Sequence, residues 1–222
     1  MTSVRIRTAV PAEYPVVGEL TAAGYLADGL LDPGSPYVAE LRDAARRGRE
    51  AVLLVAERGG RLVGTATLAP AGSDLAELAG PGEADLQMLA VDPLARRAGI
   101  GRALVVDALH RARDARASIL RLSAAAAMRA AHRIYADLGF RHTPALDRSP
   151  APGVPLLTYA LDLTLTWCDR CGRSLADGGH QPCAAAELDP PRWCGHCGRR
   201  MVVQVMPGSW SARCVEHGAR TG

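Results

Sequence analysis

A mixed α/β domain followed by a small metal-stabilised unit is the architecture that this chain of 222 residues predicts, on three observations. Strand-like apolar runs and amphipathic helical stretches follow one another from Val4 to Leu163. An Arg-x-x-Gly-x-Gly turn, Arg96–Gly101, stands between a strand and a helix. All six cysteines and all three tryptophans lie from Trp167 onward, around a phrase, Trp-Cys-x-x-Cys-Gly-Arg, present at Trp167–Arg173 and again at Trp193–Arg199. We therefore expect two units, 1–163 and 164–222, with different stabilising chemistry.

The first unit is long enough for one full core, whereas the second is too short to fold well on apolar burial alone and needs a metal to supply the difference. The first residues lack a secretory pattern, because Arg5 and Arg7 precede Pro11, Glu13 and Pro15 rather than an apolar run. No apolar stretch approaches the roughly 18 residues of a membrane span. A cytoplasmic protein is expected, with no membrane partner, and in that reducing compartment Cys-x-x-Cys pairs serve as metal ligands more often than as disulfides. The net charge of +3 does not indicate a nucleic-acid partner, nor does the tail, where seven Arg face five acidic residues. The absence of lysine and asparagine, with abundant Ala, Arg and Gly, indicates coding bias in a GC-rich bacterial genome.

Taken in order, Val4–Thr8 alternates as a short strand, Pro11 to about Leu26 is helical, and Ser35–Arg47 repeats helical spacing behind a Ser-Pro start. Ala51–Glu57 and Leu62–Leu68 are strands joined at Gly59-Gly60 by a tight hairpin. The loop Pro70–Gly82 leads to strand Asp85–Val91, ended by Asp92-Pro93. Gly99 to about Arg116 is helical with Leu104, Val105, Ala108 and Leu109 on one face. Ile119–Leu122 is a strand, Met128–Leu138 a helix stopped by Gly139, Phe140–Thr143 a strand, Pro144–Pro155 a loop and Leu156–Leu163 a strand. That last strand runs almost directly into Trp167, so the tail should sit against the first unit.

The turn Arg96-Arg97-Ala98-Gly99-Ile100-Gly101-Arg102 suits a diphosphate. Its glycines let backbone N–H groups approach an anion, the helix N-terminus adds partial positive charge, and three arginines add counter-charge. With this turn, the strand Asp85-Leu-Gln-Met-Leu-Ala-Val91 and the helix end Tyr135-Ala-Asp-Leu-Gly-Phe140, residues 4–163 resemble the GNAT family of N-acetyltransferases. The resemblance implies a mixed sheet that splays after its fourth strand and holds acetyl-CoA in the gap. It assigns Met88, Leu89 and Val91 to main-chain contacts with the pantetheine arm, and Arg96–Arg102 to the pyrophosphate. Tyr135 matches the tyrosine that protonates the departing CoA sulfur, and Met128 stands where the family often has Asn. A base for the acceptor amine is sought first at Asp85, then at Glu83 and His142. The region Ala22–Pro36 would shape the pocket for a small-molecule or protein amine.

The tail offers eight ligands in four pairs, Cys168/Cys171, His180/Cys183, Cys194/Cys197 and Cys214/His217. We expect Cys168, Cys171, Cys194 and Cys197 to form one four-thiolate set of the zinc-ribbon kind, and His180, Cys183, Cys214 and His217 a second. Zinc suits both; iron or an iron–sulfur cluster suits four thiolates too. Met201–Met206 and Trp210–Cys214 around Pro207-Gly208 read as a hairpin. The blocks Pro190-Pro-Arg-Trp-Cys194 and Arg199-Arg-Met-Val-Val-Gln-Val205, with the ligands, resemble the biotin synthase auxiliary proteins. That resemblance implies support of biotin synthase in converting dethiobiotin to biotin, with Trp167, Trp193, Trp210 and Arg192 as contacts to the partner. The leading expectation is an N-acetyltransferase fused to such an auxiliary unit. The alternatives are a non-catalytic scaffold with the whole chain as auxiliary protein, and an acetyltransferase whose generic zinc ribbon recognises its acceptor.

Overall fold

The computed structural model describes residues 3–27, 29, 31–150, 154–184 and 189–222. Parts of the expected segments Ala22–Pro36 and Pro144–Pro155, and Leu188 of the tail, lie outside the described residues. The first strand β1 (Arg5–Thr8) leads to helices α1 (Tyr14–Ala27), α2 (Tyr37–Arg42) and α3 (Ala44–Glu50), then strands β2 (Val52–Arg58), β3 (Arg61–Pro70) and β4 (Ala84–Val91). Helix α4 (Ile100–Asp114), β5 (Ile119–Ala125), α5 (Arg129–Asp137), β6 (Arg141–His142) and β7 (Leu156–Asp162) complete a seven-stranded sheet in the order β1-β2-β3-β4-β5-β7-β6. Every neighbouring pair is antiparallel except β4 and β5.

The expected helix Ser35–Arg47 is two short helices instead. Asp43 leaves the helical region with ψ of 63° and caps α3 by accepting from the Arg46 N–H at 2.8 Å. Arg47, 1 % exposed, explains why the break is tolerated. Its guanidinium donates to the Leu41 carbonyl at the end of α2, to Thr21 of α1 and to Thr67 of β3, so one buried cation ties three elements. Burial pushes its pKa down from the usual range. Helix α4 buries Ile100, Leu104, Val105, Ala108, Leu109 and Ala112, the stripe that its periodicity demands, against β3 and β4.

The apolar core does not stop at residue 163. Phe140, Leu161 and Leu163 share one cluster with Cys168 and Leu175, so the tail packs on the sheet as its short connection requires. The tail adds a short helix α6 (Gln181–Ala184) and a three-stranded antiparallel sheet, β8 (Val202–Met206), β9 (Ser209–Cys214) and β10 (Gly218–Thr221). Strand β10 carries no alternating apolar pattern and was not expected.

Helix α1 approaches α2 so closely that a Cβ on Gly18 would lie 2.2 Å from the Arg42 carbonyl oxygen. Backbone cannot move aside as a flexible side chain can. Gly18→Ala should therefore lower stability by about 1–3 kcal/mol, read as a lower denaturant midpoint at unchanged slope. An unchanged midpoint would show that the two helices do not meet in this way.

Candidate functional site

Strands β4 and β5 pair only at Ala84–Leu86 with Leu120–Leu122, and beyond that no register joins them among the described residues. β5 continues with β7 to Ala125 while β4 continues with β3 to Val91, so the two diverge into a wedge. On β4 the two residues Met88 and Leu89 lie between Gln87, opposite Thr67, and Ala90, opposite Thr65, where β3 supplies only Ala66. Met88 adopts a φ of +50° at this bulge. A bulge turns backbone groups out of the ladder, here beside the wedge.

The turn Arg96–Gly101 follows β4 at the same end. Gly99 has a φ of +74° and caps α4, whose first N–H groups have no partner within the helix. Arg97 is also left-handed, with a φ of +62°, and exposed, as are Arg96 and Ala98. The Arg96 guanidinium reaches the Gly24 carbonyl of α1 at 3.2 Å, and Arg102 pairs with Asp137 at 3.3 Å. Ile100 is buried, and Gly101 faces Leu89, Val91 and Ile134. Three of the expected anion contacts thus surround one helix N-terminus.

Tyr135 is 4 % exposed on α5, its ring centroid 5.7 Å from Tyr159 and 5.8 Å from Phe140. Burial pushes its hydroxyl well above the usual phenol range, so it stays protonated at neutral pH. Tyr159 bonds the His132 Nδ1 at 2.9 Å, while the His132 Nε2 contacts the Ala125 carbonyl at 3.0 Å. A carbonyl only accepts, so His132 carries its proton on Nε2 and Tyr159 donates to Nδ1. This pair, adjoining Tyr135, had no signal in the sequence.

The three base candidates fare differently. Asp85 is 2 % exposed, and its Oδ2 accepts from the Glu77 and Leu78 N–H groups, both at 3.1 Å, and from Gln87. Burial outweighs those donors and raises its pKa to about 6. Glu83 is clamped by Arg121 at 2.5 and 2.7 Å, which holds its carboxyl below the usual range. His142 pairs with Asp147 at 2.9 Å, with its ring against Tyr159.

The tail brings all eight expected ligands into two clusters, but not the two expected. Cys168, Cys171, His180 and Cys183 form one, and Cys194, Cys197, Cys214 and His217 the other, with ligand atoms within 4.8 Å of one another in each. The four-thiolate set is therefore corrected: each knuckle combines with the ligand pair that follows it. The reason is how the duplicated phrases pack. The Thr166 and Trp167 N–H groups donate to the Gly195 carbonyl, and the Arg192 and Trp193 N–H groups to the Asp169 carbonyl, at 2.8 to 2.9 Å. A Cβ on Gly172 would lie 2.6 Å from the Trp193 ring, and one on Gly198 2.8 Å from the Trp167 ring. The knuckles meet through reciprocal backbone bonds and Trp–Gly contacts, as two copies about a local twofold, with a separate thiolate cluster on each. Trp167 and Trp193 thus pack on each other's knuckle and stay half-buried, while Arg192 is exposed.

The spacings fit one tetrahedral ion per cluster. An ion about 2.3 Å from sulfur and 2.0–2.1 Å from nitrogen sets sulfurs about 3.8 Å apart and sulfur about 3.5 Å from nitrogen. The structure has Cys197 Sγ to Cys214 Sγ at 3.8 Å, Cys194 Sγ to His217 Nδ1 at 3.5 Å and Cys171 Sγ to His180 Nδ1 at 3.6 Å. An iron–sulfur cluster puts its own atoms between the thiolates and holds them further apart. Burial and the neighbouring Cys168 and Cys171 push the Cys183 thiol up to about 12, a crowding that a cation relieves. The Glu216 N–H and the His217 ring hold Cys214 down at about 6, in the thiolate form that a metal takes.

The first cluster is anchored to α5, the helix that carries Tyr135. Asp137 of α5 accepts from the Gly179 N–H at 2.7 Å, its carbonyl accepts from the His180 N–H at 3.3 Å, and Arg141 of β6 bonds Asp169. Sequence reasoning missed both acidic residues, since their partners lie 28 to 42 positions away.

A seven-stranded mixed sheet parted between β4 and β5, with a glycine turn at the mouth of the wedge, defines an acetyltransferase fold. Residues 23–140 match the model of the acetyltransferase (GNAT) family, and the chain belongs to that family. Residues 201–222 match the biotin synthase auxiliary protein family. An N-acetyltransferase from Staphylococcus aureus Mu50 shares the fold with a TM-score of 0.58 at 18 % identity, over 73 % of this chain and 99 % of its own. An acetyltransferase from Salmonella typhimurium, solved with its cofactor acetyl-CoA, gives 0.56 at 21 % identity, over 73 % and 95 %. The biotin synthase auxiliary protein of Mycobacterium tuberculosis is 57 % identical over 44 residues, 20 % of this chain and 56 % of that protein. The chain thus spans just over half the length of the auxiliary proteins it matches. Among the described residues no helix is long and apolar enough to cross a membrane.

The raised pKa of Asp85 makes a signed prediction. Its neutral form is favoured by folding, so its contribution is fully present below the unfolded value near 3.8 and is lost as pH rises through about 6. Relative to Asp85→Asn, the wild-type chain should lose about 2–3 kcal/mol of stability between pH 4 and pH 8. A pH-independent difference in denaturant midpoint would show that Asp85 is not held protonated.

Proposed function

We propose that this chain is an acetyl-CoA-dependent N-acetyltransferase, residues 1–163, joined to a two-zinc unit, residues 164–222, that supports biotin synthase. The observation that carries the first half is the wedge: a bulged β4 on one side, the α4 N-terminus at its mouth, and Tyr135 buried on the helix beyond β5. Main-chain groups of Met88, Leu89 and Val91 pair with the pantetheine arm. The N–H groups around Ala98–Gly101, with Arg96, Arg97 and Arg102, hold the pyrophosphate.

Acetyl-CoA supplies the activated thioester, and the amine of a small molecule or protein forms the new C–N bond as the C–S bond breaks. Tyr135 gives its proton to the leaving sulfur. Asp85, with a pKa near neutrality, takes the proton lost by the amine, directly or through water. Backbone N–H groups at the β4 bulge stabilise the charge that develops on the acetyl oxygen. Tyr135→Phe keeps the ring packing and removes only the proton donor. It should lower kcat by about 10²- to 10⁴-fold with little change in KM for acetyl-CoA, measured as free thiol released in the presence of polyamine, amino-acid or peptide amines. Turnover undiminished by the substitution would sink this role.

Zinc in both clusters closes four protein ligands on each ion and supplies the folding energy that the tail cannot obtain from its core. The match of its C-terminal strands to auxiliary proteins supports docking on biotin synthase. Protein purified without oxygen should hold two zinc per chain and no acid-labile sulfide. Full-length chain added to a biotin synthase should raise biotin formed from dethiobiotin. Sulfide in proportion to iron would replace this reading with a cluster carrier, and unchanged biotin yield would remove the auxiliary role.

A further inference from the structure

Between the phosphate turn and the first metal cluster lies one carboxylate that serves both. Asp137 closes α5 two residues beyond Tyr135. Its Oδ2 takes the Arg102 Nε at 3.3 Å, its Oδ1 takes the Gly179 N–H at 2.7 Å, and its carbonyl takes the N–H of His180, a ligand of the first cluster. There is no slack in this link: a Cβ on Gly178 would stand 2.7 Å from the Arg102 guanidinium and 3.2 Å from Asp137. His180 is 1 % exposed, its Nδ1 turned toward Cys171 and its Nε2 against the Ser174 carbonyl at 3.1 Å. The second cluster has no corresponding contact with α4 or α5 among the described residues.

We propose that Asp137 is a positioning residue that couples acetyl-CoA binding to metal occupancy of the Cys168, Cys171, His180, Cys183 cluster. The proposal rests on the reading of Arg96–Arg102 as the cofactor's phosphate site. A metal at His180 fixes the 178–180 loop, the loop fixes the Asp137 carboxylate, and the carboxylate fixes Arg102 in reach of the phosphates. Without metal the loop is released, and the Asp137 carboxylate that Arg102 pairs with loses its own anchor at Gly179. Linkage is reciprocal, so the cofactor must tighten that metal by the same factor that the metal tightens the cofactor. Arg102 and Asp137 are 43 % and 34 % exposed in their side chains, and a pair so wet transmits little. The coupling should be about threefold to fivefold.

The test uses the full chain and coenzyme A as the probe. Calorimetric Kd values for coenzyme A are compared between zinc-loaded and chelator-stripped protein, with circular dichroism confirming that the sheet remains folded. The reciprocal measurement needs no stripped protein: zinc release to a chromogenic chelator is followed with and without saturating coenzyme A. The expected result is a Kd raised about threefold to fivefold on stripping, and one of the two zinc ions, not both, held tighter by that factor when coenzyme A is present. In Asp137→Asn, which keeps an oxygen for Gly179 but loses the charge facing Arg102, both effects should vanish on the same loaded and stripped comparison, while the loaded variant still binds two zinc. Coenzyme A that binds with one affinity throughout and leaves both ions' release unchanged overturns the coupling and leaves the acetyltransferase reading standing. Failure of the zinc-loaded chain to bind coenzyme A at all overturns both.

Discussion

The constraint on which the acetyltransferase fold depends is the parting of β4 from β5 after three paired residues. Parallel strands that separate leave backbone donors and acceptors without ladder partners, a cost that a fold accepts only where something else will take them. Here the Met88–Leu89 bulge turns that edge outward, and the sharp turn after β4 sets the α4 N-terminus against it. Unpaired strand edge and unpaired helix amides therefore face one space. An extended amide-bearing chain that ends in a diphosphate satisfies both, which is the physical content of the family's link to acetyl-CoA.

Much of this was legible in the sequence because it is carried by local rules. Strand and helix periods from Val4 to Leu163 marked the layers, Gly99 the turn into α4, and Gly139 the end of α5. The helical stretch after α1 was misread as one element because Ser35–Arg47 keeps helical spacing through Asp43. What breaks it is a cap at Asp43 and a buried guanidinium whose partners on α1, α2 and β3 are invisible to any window of sequence. The base candidates show the same limit: that Glu83 is neutralised by Arg121, 38 positions away, while Asp85 is not, follows from tertiary placement alone.

In the tail the ligand types and their number were legible, and their division was not. Spacing alone says that each Cys-x-x-Cys makes one corner of a site, not which other corner it meets. The duplicated phrase held the missing information in another form. Two knuckles of one pattern meet most simply as symmetric copies, and an exchange of equivalent backbone bonds at Asp169 and Gly195 is what such a meeting requires. Once the tryptophans cover each other's glycines, each thiolate pair is joined by the ligands that follow it in the chain. The Pro190–Cys194 and Arg199–Val205 blocks are thus framework for the second cluster and its sheet.

This division also decides how the two halves can communicate. Had the knuckles shared one ion, loss of metal would have loosened the whole tail at once. With two clusters, the second sits with the exposed sheet β8–β10, whose Val202, Val205 and Met206 are open to solvent, and the first sits in the core with Phe140, Leu161 and Leu163. The stretch that matches the auxiliary proteins, residues 201–222, therefore lies with the second cluster and its exposed sheet. The cluster that touches α5 through Asp137 is buried by the acetyltransferase sheet itself, so a change there reaches the helix that carries Tyr135 before it reaches anything outside the molecule.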